Sequence, residues 1–97
     1  MIQEKPSPMP TTAVALRYDG TGAPRVTAQG RGLVAEQILA QAEEHGIPLY
    51  RDTGLAQLLA QVELGEEIPA TLYEAVAQVL AFIYRLSGET PAHLRID

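Results

Sequence analysis

Chemistry in this sequence would have to come from His45 and His93, from Glu43 with Glu44 and Glu66 with Glu67, from Ser7 or Ser87, or from the glycine-rich tripeptides at 20–22 and 30–32. A metal site needs several His, Cys, Asp or Glu ligands at set spacings. Here the two histidines stand alone and there is no cysteine. His45 falls where a helix should end, and its protonated ring would favour the negative end of the helix dipole. Neighbouring glutamates on a helix point to different sides, so neither pair converges on one proton. They read as acids on solvated faces. No Gly-Lys-Ser/Thr follows "GTG" or "GRG", so these glycines read as turn formers and not as a phosphate cradle. Neither serine has a partnered base in view. The expectation is no catalytic residue, no metal and no cofactor.

Charge and length narrow the classes further. The chain has 97 residues and a formal charge of −5, the size of one small domain. Arg17, Arg25, Arg31, Arg51, Arg85 and Arg95 are scattered among apolar and acidic residues. Nucleic-acid binding needs a basic stripe that neutralises phosphates, and none is present. The first ten residues, "MIQEKPSPMP", lack the apolar run of a secretory signal. Residues 75–86 form the longest apolar stretch, broken by Gln78 and Arg85 and too short to span a bilayer. With no cysteine the chain suits a reducing compartment. The expected location is the cytoplasm.

The elements follow from periodicity and punctuation. Residues 1–11 are polar and proline-rich, and read as a flexible lead. "TAVALRY" at 12–18 alternates, with Val14 and Leu16 on one well-buried face. "DGTGAP" at 19–24 is turn chemistry, and "RVTAQ" at 25–29 closes a hairpin. Leu33, Val34, Ile38, Leu39 and Ala42 recur at helical spacing up to Gly46 and Pro48. A strand at 47–51 would complete a β-α-β crossover. Asp52 or Thr53 can cap the next helix, which carries Leu55, Leu58, Leu59 and Val62. The last helix spans 69–86, started by Pro69 or by a Thr71/Glu74 capping box. Its apolar residues cover more than one face, so it is sandwiched or offers a strip to a partner. Residues 89–97 read as a frayed tail. The order β-β-α-β-α-α gives an α/β domain at 12–88, a mixed sheet of three strands covered by helices.

Three segments in this order carry a resemblance: "AVALRYD" at 13–19, "AP" at 23–24 before "V-x-A-x-G-x-G", and "G-x-x-IP-x-x-LY-x-AVA-x-VLA" at 65–81. Together the sequence resembles the cytoplasmic C-terminal domain of the FlhB/YscU type III export-gate family, from Thr11 to about Leu86. The resemblance implies a role in choosing export substrates. In that family an Asn-Pro-Thr-His loop cuts itself, the Asn amide cyclising onto its own carbonyl carbon. The matching positions are Pro8, Met9, Pro10 and Thr11, and the sequence holds no asparagine at all. A degenerate cleavage loop without self-cutting is expected. The resemblance also implies a stand-alone form lacking the membrane domain and the strand before the cut. That would leave a free sheet edge, a route to homo-oligomers.

The family's substrate-docking patch maps onto Ala23, Pro24, Ala77 and Leu80, whose competing reading is ordinary core for Leu80. The implied function is a non-enzymatic accessory of flagellar protein export, substituting for or modulating the FlhB cytoplasmic domain. Its partners would be the N-terminal fragment of FlhB, rod or hook export substrates, or both, with peripheral attachment at the inner-membrane gate. The alternative is a stand-alone protein-interaction domain with a partner outside secretion.

Overall fold

The computed structural model describes residues 11–97. Strand β1 (Thr12–Arg17) pairs antiparallel with β2 (Arg25–Arg31), from Thr12 opposite Arg31 to Arg17 opposite Arg25, with a register shift between Ala15 and Leu16. Helix α1 (Leu33–Glu44) follows, then the two-residue strand β3 (Leu49–Tyr50) and α2 (Thr53–Leu59). Of the two candidate caps for α2 it is Asp52 that acts, its side chain accepting from Leu55 N–H at 3.0 Å. A single 3₁₀ turn at Ala70–Leu72 leads into α3 (Tyr73–Ser87). No side-chain capping bond forms at either start, so the Thr71/Glu74 box is not made. Gly88, at φ 79°, ends α3 and donates to the Tyr84 carbonyl, the left-handed cap that glycine adopts without steric penalty.

The mixed sheet under helices is as expected, but it has four strands. Residues read as a tail form β4 (His93–Ile96), and the order is β2-β1-β4-β3. β4 runs antiparallel to β1 and parallel to β3. It follows that β3 is parallel to β2, as a crossover through α1 requires, yet β4 and not the hairpin is its hydrogen-bonded partner. The expected free edge beside β1 is therefore filled by the chain itself. On the opposite side of the sheet, residues 65–68 cover the start of β2. Val26 N–H donates to Glu66 O, Gly65 N–H to Val26 O and Ile68 N–H to Pro24 O, at 2.7–3.0 Å. The outer side of β3, two residues long, is open.

Each face of the sheet carries its own core. Val14, Leu16, Val26, Leu94 and Ile96 pack with Leu55, Ala56 and Leu59 of α2, with Ile68, and with Val76, Val79 and Ile83 of α3. Ala13 and Ala15 pack with Ala35 and Ile38 of α1 on the other face. β1 is thus buried on both faces, not one: its two alanines are small enough for α1 to lie close above them. Gly30 serves the same approach, since a Cβ there would sit 2.2 Å from Val34 Cγ1. Leu33 and Val34, expected on the apolar face of α1, are exposed, and Ala35, Ile38 and Ala42 are the buried residues. Tyr50 meets Phe82 edge-on, centroids 5.6 Å apart, tying β3 to α3.

Candidate functional site

The loop between β1 and β2 is built by its own side chains. Asp19 Oδ1 accepts from Thr21 N–H at 3.0 Å and from the Thr21 hydroxyl at 3.1 Å. These bonds, the backbone one first, hold the Asp19 carboxyl below its usual range. Gly20 and Gly22 take positive φ on either side of Thr21. The turn leaves Ala23 half-buried and Pro24 buried, and Pro24 O accepting from Ile68 N–H fixes them against the segment that leads into α3.

Along α3 two stripes run side by side. Val76, Val79 and Ile83 enter the core, while Tyr73, Ala77, Leu80 and Tyr84 line up next to them at three- and four-residue spacing. Between this second stripe and the loop lies an apolar groove of about 360 Å³, lined by Tyr18, Gly22, Ala23, Pro24, Glu67, Ile68, Tyr73, Val76, Ala77 and Leu80. All four patch residues named from the sequence, Ala23, Pro24, Ala77 and Leu80, meet in it. Ala77 is exposed. Leu80 is half-buried, packed against the core while lining the groove. Sequence reasoning missed Tyr18, Ile68, Tyr73 and Val76 as lining residues. The α3 spacing of Tyr73 with Ala77 and Leu80 was a usable signal, but Ile68 lies in irregular chain and had none.

The groove's rim is polar. Glu67 Oε2 lies 3.5 Å from Arg25 Nη2, and Arg25 Nη1 donates to Gly65 O at 3.2 Å. Both side chains are about half exposed, so the pair contributes little to stability. A polar cleft continues from it past Arg17, Asp19 and Thr21. The groove is lined mostly by apolar side chains, which suits it to binding apolar groups. His45 caps the C-terminus of α1 and His93 opens β4; both are exposed and far apart in role. Among the described residues no three His, Cys, Asp or Glu are grouped to hold a metal ion, and no helix is long and apolar enough to cross a membrane. Of the degenerate cleavage loop, Pro8, Met9 and Pro10 lie outside the described residues. Thr11 is exposed, and its carbonyl accepts from Gly32 N–H at 2.9 Å.

Comparison with known proteins agrees with this arrangement. The family model described as the "FlhB HrpN YscU SpaS Family" matches residues 10–83. The uncharacterized protein YlqH of Bacillus subtilis (strain 168) is 43% identical over 76 residues, covering 76% of this chain and 82% of YlqH. The flagellar biosynthetic protein FlhB of Yersinia enterocolitica is 51% identical over 77 residues, covering 76% of this chain and only 20% of that protein. The chain thus matches a fifth of the length of such FlhB relatives. Among solved structures, the PscU C-terminal domain superposes with a TM-score of 0.69 at 36% identity, covering 74% of this chain and 95% of that domain. A mutated EscU/SpaS C-terminal domain gives 0.67 at 32%, covering 73% and 91%.

Proposed function

Since this chain belongs to the FlhB, HrpN, YscU and SpaS family, we propose that it serves type III flagellar export as a non-enzymatic accessory, substituting for or modulating the FlhB cytoplasmic domain in recognising export substrates. The observation that carries the reading is the groove. Four residues brought together by motif from two distant segments, Ala23 with Pro24 and Ala77 with Leu80, border one apolar cavity. Ala23 and Ala77 are small, so the cavity keeps room for a side chain of the ligand. An unfolded substrate would place an aliphatic or aromatic residue there and lose conformational freedom in doing so, which keeps the affinity weak. Weak binding suits a gate that must release what it selects.

The protein acts in the cytoplasm, peripherally at the inner-membrane gate, with the N-terminal fragment of FlhB or rod and hook subunits as partners. Immobilised protein should retain that fragment, those subunits, or both. Retention of neither, together with unchanged motility on deletion, would sink the export role. It would leave a stand-alone interaction domain whose partner lies outside secretion. The chain does not cut itself by asparagine cyclisation, because it contains no asparagine. Mass spectrometry after long incubation should find it intact, and a clean break near Pro10 would overturn this account of the loop.

A further inference from the structure

The terminal strand of the sheet, β3, is paired on one side only. Its ladder to β4 uses Pro48 O and Tyr50 O as acceptors, and just beyond the strand Asp52 N–H donates to Asp97 O. Backbone groups along a strand point alternately to its two sides, so Leu49 and Arg51 turn their N–H and C=O groups outward. Among the described residues none supplies a bond to them, and both residues are exposed. An unpaired edge of this kind is a template for another strand.

The two faces beside this edge differ in character. Leu49 and Arg51 lie on the α1 face, at a hollow of about 500 Å³ whose walls include Glu36, Leu39, Glu43 and Ile47. Glu36 and Glu43 are seven residues apart, two turns of α1, and so stand on the same side of the helix. Both are exposed, and neither they nor Arg51 join an ion pair; among the described residues Arg25 with Glu67 is the only one. On the α3 face Tyr50 meets Phe82 edge-on, and Phe82 remains 42% exposed. An acidic wall, an unused cation and a partly exposed aromatic pair thus border one open stretch of backbone.

We propose that this edge is a self-association surface, on which a second copy of the chain pairs β3 with β3, antiparallel, about a two-fold axis at Tyr50. The pairing is self-complementary. With Tyr50 opposite its counterpart, Leu49 of each copy falls opposite the partner's Arg51, and these are the residues whose backbone groups point outward on both copies. The Arg51 stem covers the partner's Leu49, as arginine stems do on apolar surface, and its guanidinium faces the partner's Glu36 and Glu43. On the other face the two Tyr50–Phe82 pairs meet and lose exposed apolar area. A second copy fits better than an unrelated segment, because one chain carries both the unused cation and the carboxylates in matching places. An edge of three residues is small beside a standard interface, so the dimer is weak and concentration-dependent. This inference stands whether or not the protein serves export.

Sedimentation equilibrium of the full chain should show monomer and dimer in exchange, with association weakening as salt is raised. Arg51→Glu should weaken the dimer roughly tenfold, because symmetry applies one modest surface-charge change twice. The double variant Glu36→Arg/Glu43→Arg should weaken it to a similar degree. All three positions are exposed, so circular dichroism should find both variants folded. Mixing them is the decisive arm. In the mixed dimer an acidic group faces a basic one at both contacts, so the equimolar mixture should recover most of the lost association. A thiol reports the register. In a chain with no cysteine, Tyr50→Cys sets two thiols directly opposite each other, within disulfide range, and should cross-link on oxidation. Leu64→Cys, exposed on the β2 side of the sheet, should not. A chain that stays monomeric up to about 1 mM would overturn the proposal. So would a dimer that both charge variants leave intact, a mixture that associates no better than its components, or Tyr50→Cys chains that cross-link no faster than Leu64→Cys.

Discussion

Replacing Gly30 by alanine should unseat α1 from the sheet. The added Cβ would lie 2.2 Å from Val34 Cγ1 and 2.7 Å from Val34 Cβ, well inside contact distance. Turning the valine about χ1 moves Cγ1 away, but the Cβ contact remains whichever rotamer is used, and valine is stiff in a helix. The start of α1 must therefore lift from β2. Overpacking of this kind costs about 1–3 kcal/mol, and for a domain this size about 2 kcal/mol corresponds to roughly 8–16 °C in Tm. Thermal denaturation followed by circular dichroism would measure it. The compensating changes separate cause from coincidence. Val34→Ala on the Gly30→Ala background removes Cγ1 and should recover part of the loss. Val34→Gly removes both contacts but introduces a glycine penalty of up to about 1 kcal/mol. If Gly30→Ala leaves Tm unchanged, or if Val34→Gly costs as much on the Gly30→Ala background as it does alone, the close approach of α1 to β2 is not what demands this glycine.

The remaining predictions concern the groove, a cap and a loop. Ala77→Glu puts a charge at the exposed wall of the groove; binding of rod or hook subunits should fall at least about tenfold while Tm changes little, as surface plasmon resonance and a melting curve would show. Asp52→Ala removes the cap of α2 and should cost about 1 kcal/mol, seen as an earlier midpoint in urea; an unchanged midpoint would mean that the cap is dispensable. The Asp19 carboxyl is lowered by its bonds to Thr21, so the loop's stabilisation is present above the ordinary carboxylate range and lost as pH falls through the depressed pKa. Thr21→Val removes the hydroxyl bond and should raise that pKa part of the way, measured by carboxyl NMR titration.

How far sequence reasoning reached depends on how local each signal is. Asp19, Gly20 and Gly22 mark the β1–β2 turn within six residues, and the turn forms where they stand. Leu72 to Tyr84 repeat at helical spacing, and α3 forms there with a half-exposed second stripe. The groove residues were reachable because Ala23, Pro24, Ala77 and Leu80 each sit inside a recognisable segment, although nothing in the spacing placed the two segments side by side. Leu33 and Val34 show the opposite limit. Their hydropathy put them on the buried face, yet α1 rests on the sheet through Ala35, Ile38 and Ala42, because small residues allow the closer approach.

By itself the sequence determined what depends on short-range order: the hairpin turn, the helices and the family. Tertiary structure alone decided β4. "HLRI" has two aliphatic residues and an arginine, too little periodicity to announce a strand, and it becomes one because β1 and β3 present unpaired backbone on both sides of it. Pairing of that kind joins positions some eighty residues apart, such as Val14 and Ile96, and a local pattern carries no trace of it. The same placement turns residues that read as a tail into a strand of the sheet.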